Sequence, residues 1–398
     1  MTSELGPFEP GTGRLPPYLA GRDSEQETLL AFVGRLRRGR PAPSEIALHG
    51  PRGNGKTALL RWLQAEVTRR NGSGGRAAAE IETIWLTPPK APTVGKLIER
   101  VARVSWLREW WKRLGVTVGV PGMVKAGIGQ APETGLPALE DALSDRLRRK
   151  PLVLLFDEAH NLDPEVGHAL LNASQEVGGD APFLLVLAGT PDLEDRLDGM
   201  RASFWDRAAK LRLGRLSEDA SGEALRKPLA RDGIAIPDDA LASAYRDHHG
   251  YPFFVQHWGQ ELWRRARDRA AVTAEDVSGA RGAVDVVRSA FYEQRRREMK
   301  KAGLLGVARA VAEAFRAPPE TGGEERFAAR AAIAEEELDA AIRRGLGAEF
   351  TSERAVEAEV KLRHLGFIWP ARSHPTWEPG IPSLMAHLGN VVPGGLRD

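Results

Sequence analysis

Eight consecutive residues constrain this chain more than any other feature: Gly50-Pro51-Arg52-Gly53-Asn54-Gly55-Lys56-Thr57, spaced G-x-x-x-x-G-K-T. Gly53 and Gly55 let the backbone turn tightly enough to point successive N–H groups inward at phosphate oxygens. Lys56 reaches the terminal phosphates of a nucleotide, and Thr57 offers a hydroxyl to Mg2+. Such a loop works only between a strand and a helix, and the flanks predict both. Glu45-Ile-Ala-Leu-His49 is a short, mostly apolar run suited to a buried strand. From Ala58 to Val67, apolar residues recur at helical spacing: Leu59, Leu60, Trp62, Leu63 and Val67. The N-terminus of that helix adds partial positive charge beneath bound phosphates.

The chain has 398 residues, enough for two or three domains, with 42% apolar and 28% charged residues, an ordinary globular balance. There is no cysteine, which excludes disulfides, thiolate zinc sites and a cysteine nucleophile, and fits a reducing cytoplasm. The first residues lack the basic-then-apolar layout of a signal peptide, and no apolar window is long enough for a membrane span. A net charge of +2 does not announce a nucleic-acid binder.

The pattern predicts an α/β parallel-sheet core with helices. Residues 1–17, rich in Gly and Pro, read as an extended arm. Residues 18–216 read as the core, with strands at 81–86, 152–156, 183–188 and 210–213 besides the one before the loop. Continuous apolar runs such as Leu152-Val-Leu-Leu-Phe156 suit parallel strands covered on both faces. An insertion at about 93–130 holds a hairpin expected over 115–128. Its tryptophans, Trp106, Trp110 and Trp111, either pack the insertion onto the core or form an apolar docking patch. Residues 217–300 read as a helical lid and linker helix, and 301–398 as short helices with two strands near Phe367 and Trp377.

Asp157 and Glu158 follow directly on the third strand. Open α/β sheets bind ligands at the C-terminal ends of their strands. That places Asp157 to hold Mg2+ mostly through water and Glu158 to polarise an attacking water. Thr190 ends the fourth strand, where its hydroxyl either contacts the terminal phosphate or water, or caps the helix beginning near Pro191. Arg207, before the fifth strand, is the candidate to neutralise charge on a transferring phosphoryl group, with Arg201, Arg212 and Arg215 as competitors. His160 and His168 flank the acidic strand end without zinc-ligand spacing and read as structural or exposed.

Together, Tyr18-Leu-Ala-Gly21-Arg22, the phosphate loop, Phe156-Asp-Glu-Ala-His160, Ala188-Gly-Thr190, Arg207 and His249-Gly250-Tyr-Pro252 resemble the AAA+ superfamily of P-loop ATPases. Within it the chain looks most like initiator-like and STAND-type members. The resemblance covers about residues 16–390. It implies an AAA+ core, a helical lid and a C-terminal winged-helix domain, with ATP and Mg2+ as cofactors. It also implies a nucleotide cradle of Gly50 through Ala58, with Tyr18 and Arg22 near the adenine and Pro252 in the lid turn facing the base or ribose. Two departures, Thr190 at the usual Asn or Asp position and the lack of a convincing sensor arginine on the lid, favour a slow switch over a processive motor.

Three functions follow as expectations. The first is an ATP-hydrolysing regulatory switch whose nucleotide state controls assembly, including a homo-oligomer, or binding of a protein partner. The second is an ATP-dependent protein that binds duplex DNA through the winged helix and the basic helix at Arg295–Lys301. The third is a scaffold holding nucleotide only structurally, against which Lys56, Thr57, Asp157 and Glu158 argue. From Ala302 onward, eleven Lys and Arg stand against fourteen Asp and Glu, which weakens the DNA reading because phosphate neutralisation supplies much of such affinity.

Overall fold

The computed structural model describes residues 6–73, 79–102, 135–200, 204–316, 330–371 and 375–389. The expected hairpin at 115–128, the three tryptophans before it, and Arg201 lie outside them. The chain divides into two compact units: a sheet unit of Arg22–His49 with Leu59–Arg212, and a helical unit of Met1–Gly21, Gly50–Ala58 and Leu213–Asp398.

The sheet unit holds α1 (Asp23–Arg37), β1 (Ile46–His49), most of α2 (Lys56–Ser73), β2 (Glu82–Leu86), α3 (Val94–Val101), α4 (Gly135–Leu147), β3 (Leu152–Phe156), α5 (Pro164–Gly178), β4 (Phe183–Gly189), α6 (Leu193–Asp198), α7 (Phe204–Arg207) and β5 (Ala209–Arg212). Its five strands are parallel, in the order β2-β3-β4-β1-β5. Every residue of β3 and β4 is buried, which explains their unbroken apolar runs, whereas the edge strand β5 is only partly covered. Local signals fix the helices. In α1, Asp23 and Glu25 open the first turn and Arg35 and Arg37 close the last, matching the helix dipole, while Leu29, Phe32, Val33 and Leu36 form the buried stripe. Helix α5 starts at Pro164 behind Asp163, whose carboxylate accepts from the Glu165 N–H at 2.9 Å.

The helical unit holds α8 (Glu218–Arg231), α9 (Asp238–His248), α10 (Pro252–Ala266), α11 (Ala274–Lys301), α12 (Leu305–Ala314), β6 (Ile333–Ala334), α13 (Glu335–Leu346), α14 (Ser352–His364), β7 (Ile368–Pro370), β8 (Thr376–Pro379) and α15 (Pro382–Gly389). Thr273 and Asp276 form a reciprocal capping box at the start of α11. The aromatic stripe of α10, with Phe254, Trp258 and Leu262, is core. The tail carries both expected strands in a three-stranded antiparallel sheet of order β6-β8-β7. The N-terminal arm has no helix or strand among residues 6–17, yet it is anchored: Phe8 is buried, and a side chain at Gly259 of α10 would run into its ring.

His248, the last residue of α9, is buried, and its Nδ1 accepts from the Gly250 N–H at 3.0 Å. Burial, with a smaller contribution from His249, pushes its pKa down to about 3. The unfolded chain therefore binds a proton near pH 6.5 that the folded chain refuses. This stability is complete above that pH and is lost as pH falls towards 3, by up to about 1.4 kcal/mol per unit. Burial depresses His249 and His257 in the same direction. Urea unfolding at pH 7, 6 and 5 is expected to show falling stability, with a shallower fall in His248→Gln. An equal slope in the variant would contradict this assignment.

Candidate functional site

The sheet's register places Asp157, Glu158 and Thr190 on one edge. The strands run parallel, so their C-terminal ends emerge together: His49, after which the glycine-rich loop begins, Phe156, followed by Asp157 and Glu158, and Gly189, followed by Thr190. Asp157 is buried, its N–H donating to the Leu86 carbonyl at 3.0 Å, and its Oδ1 accepts from the Glu158 N–H at 3.1 Å. Glu158 takes a left-handed conformation, φ 58°, which a non-glycine residue adopts only against strain. That turn leaves its carboxylate about half exposed.

His160 is a functional candidate that residue spacing alone did not reveal. It is buried rather than exposed. Its Nδ1 accepts from the Thr190 N–H at 3.4 Å, and its Nε2 lies 3.5 Å from Glu158 Oε2 and 3.1 Å from the Asn161 side-chain amide. It thus bridges the ends of β3 and β4. The Thr190 hydroxyl donates to the carboxylate of Asp192 instead of accepting from a helix N–H, and the helix begins at Leu193 with Asp192 at its N-cap, so the capping expectation is corrected. His168 is structural, its Nδ1 at 2.9 Å from the Met200 carbonyl.

Arg207 is not on this edge. It precedes β5, whose first residue pairs with Ile46 at the start of β1, so it stands at the opposite, N-terminal edge. There it is exposed, donates to Gln175 Oε1 at 2.9 Å, and lines an open pocket of about 170 Å³ with Glu45, Ser174 and Phe183. It is thus parted by the length of the strands from Asp157, Glu158 and Thr190. Arg212, at the other end of β5, pairs in register with His49 on the loop's edge.

Within the helical unit the loop is tightly organised. Gly53 (φ 82°) and Gly55 (φ 87°) take conformations that favour glycine, as the motif requires. Lys56 Nζ, buried, donates to the carbonyls of Gly50 at 2.7 Å and Pro51 at 2.9 Å, and Asn54 Nδ2 to that of Leu213 at 3.1 Å. The Tyr251 hydroxyl donates to the Arg52 carbonyl. Ala58 continues into α2. Tyr18 hydrogen-bonds Glu223 at 3.1 Å and has the Lys227 ammonium 4.0 Å from its ring centre. Arg22, in the sheet unit, is buried beside Glu25, and burial lowers its pKa. Pro252 is the first residue of α10 and half-buried. Among the described residues no group of three or more His, Asp or Glu could hold a metal. Thr57 and Asp157 each carry a hard oxygen of the kind that Mg2+ takes.

Several of the basic residues of the helical unit are paired with nearby acids. Arg295 is buried and pairs with Glu298 at 2.6 Å, while Arg296 and Arg297 pair with Glu293 at 2.8 and 3.1 Å. This corrects the reading of Arg295 as a surface contact, because burial and Glu298 withhold it from a partner. In the tail, Arg354 pairs with Glu349 at 2.7 Å, Lys361 pairs with Glu357, and Arg343 lies over the Phe350 ring at 4.2 Å.

A five-stranded parallel sheet with a glycine-rich loop after its fourth strand in spatial order, and acids after its second, is the P-loop fold of the AAA+ type. The family model for the AAA ATPase domain matches residues 18–186. No curated protein sequence matches the chain. Among solved structures, the chain is similar to the ORC2 protein of Aeropyrum pernix in its ADPNP–ADP complexes (16% identity, covering 96% of this chain and 98% of that one, TM-score 0.59). It is also similar to the Walker-type ATPase of Pyrococcus abyssi (15% identity, 94% and 96% covered, TM-score 0.57). The chain therefore has the fold of AAA+ P-loop ATPases, with the match to the AAA ATPase domain confined to residues 18–186. No helix among the described residues is long and apolar enough to cross a membrane.

The strain at Glu158 yields a test. Glu158→Gly relieves the left-handed conformation, so the nucleotide-free variant is expected to be more stable than wild type by about 0.5–1 kcal/mol in chemical denaturation. A destabilised variant would show that the carboxylate's contact with His160 outweighs the strain.

Proposed function

We propose that this protein is an ATP-binding and slowly ATP-hydrolysing regulatory switch of the AAA+ and STAND type. The observation that carries the reading is the exit of the G-x-x-x-x-G-K-T loop from the same sheet edge that bears Asp157, Glu158 and Thr190. In this reading Gly50 to Ala58 cradle the phosphates, Lys56 neutralises the terminal ones, and Thr57 and Asp157 hold Mg2+, the ion that supplies charge stabilisation when bound. Glu158 polarises the attacking water, and His160 orients Glu158 while linking it to Thr190. Tyr18, Arg22 and Pro252 are assigned to the adenine side. The ORC2 structure with ADPNP and ADP supports an adenine nucleotide as the ligand. Arg207, on the far edge, fits an action on the nucleotide of a neighbouring copy, which makes a homo-oligomer part of the proposal.

We read residues 1–17 as an arm, 18–216 as the ATPase core with its insertion at about 93–130, 217–300 as lid and linker, and 301–398 as a winged helix. The order helix, strand, two helices and two strands in the tail supports the last. That order also supports the second reading, an ATP-dependent protein binding duplex DNA in replication, transposition or mobile-element defence. The paired cations of α11 and α14 favour a protein partner instead. Absence of cysteine suits a cytoplasmic location.

Turnover of ATP by purified protein tests both. It is expected to be Mg2+-dependent, slow and indifferent to duplex DNA, and to vanish in Glu158→Gln while nucleotide affinity persists. Turnover that rises with DNA at low salt and falls as salt increases would move the assignment to the DNA-coupled reading. Turnover unchanged in Glu158→Gln would overturn hydrolysis at this site.

A further inference from the structure

We infer that Tyr251 is a positioning residue of the phosphate loop: its hydroxyl, held on the Arg52 carbonyl, keeps the Gly53 N–H turned towards bound phosphate. The inference rests on the nucleotide-binding reading above.

Geometry carries it. A trans peptide is planar, with its C=O and N–H pointing in opposite directions. A donor that fixes the Arg52 carbonyl on one side of the loop therefore fixes the Gly53 N–H on the other. Lys56 donates to the two preceding carbonyls, of Gly50 and Pro51. Three successive carbonyls are thus held by side-chain donors; of the residues that follow them, Arg52 and Gly53 carry an N–H and Pro51 has none. Tyr251 belongs to the turn between α9 and α10, about two hundred residues from Arg52 in sequence, so no local propensity makes this contact.

The hydroxyl is placed by a rigid frame. Gly250 (φ 73°) donates its N–H to His248 Nδ1 at 3.0 Å, and its carbonyl accepts from the Leu216 N–H at 2.8 Å. A Cβ on Gly250 would come within 2.0 Å of the Leu216 carbonyl oxygen, so the turn has no slack there. The Tyr251 ring is fully buried among Phe254, Phe253 and Phe291, with centroids 5.3, 6.4 and 6.4 Å away. A Cβ on Gly53 would stand 2.5 Å from the Tyr251 hydroxyl, so the close approach demands glycine on the loop side too. Burial raises the phenol's pKa well above its ordinary value, which keeps it protonated and a donor throughout the working range. By linkage, phosphate binding and docking of this turn strengthen each other.

Tyr251→Phe removes one oxygen and keeps the ring. The test measures binding of ADP and of adenosine to wild type, Tyr251→Phe and Tyr292→Phe, a buried tyrosine away from the loop. ADP is expected to bind about tenfold more weakly to Tyr251→Phe, the loss of one well-placed hydrogen-bonding group. Adenosine, lacking phosphate, is expected to bind that variant as it binds wild type, and Tyr292→Phe is expected to bind both normally. Equal ADP affinity in wild type and Tyr251→Phe would overturn the inference while leaving nucleotide binding intact. A parallel loss for ADP and adenosine would also overturn it, by showing a general packing defect. Wild type that binds neither would overturn the nucleotide reading and the inference with it. If Tyr251→Phe fails to fold, Phe291→Leu loosens the ring's packing without touching the hydroxyl. It is then expected to weaken ADP but not adenosine, and unchanged ADP affinity would overturn the inference.

Discussion

The complete burial of β3 and β4 beside β1 is the constraint on which the rest depends. Strands covered on both faces tolerate only apolar side chains along their length, so polar residues are expelled to their ends. Because the strands are parallel, their C-terminal ends collect on a single edge. Asp157, Glu158 and Thr190 are thereby gathered from residues more than thirty positions apart, at the edge where the glycine-rich loop departs. The same rule sends Arg207, which precedes a strand, to the other side.

Polar groups at that edge are supported by neighbours that were not themselves conspicuous. His160 can bridge Glu158 and Thr190 only because it is buried at the crossing of two strand ends, where its two ring nitrogens face different partners. Glu158 accepts backbone strain to hold its carboxylate outward. In the helical unit, Lys56 and Tyr251 between them fix the carbonyls of Gly50, Pro51 and Arg52. The loop's shape is therefore set by side chains as well as by its glycines.

Charge density in the sequence overstated the available positive surface. The run at Arg295–Lys301 reads as a basic patch, yet helical spacing places Glu293 and Glu298 one turn from its arginines and pairs them. The pairing of Lys150 with Glu80 and of Arg264 with Glu261, at 2.7 Å each, acts alike. A run of cations marks a nucleic-acid surface only when its counter-charges lie elsewhere, and here they lie on the same helix or close by.

The sequence by itself determined the parallel sheet, the strand–loop–helix unit around Lys56, the acids after β3 and the two strands of the tail. These rest on local chemistry: apolar runs, turn-forming glycines, and caps such as Asp163 and Thr273. Only the tertiary structure decided the edge on which each candidate stands, the burial of His160 and Arg295, and the approach of Tyr251 to Arg52. Each of these depends on strand order or on contacts between residues far apart in the chain. Gly250 and Pro252 flagged the turn that carries Tyr251, but the spacing of a turn does not say what its central side chain will meet.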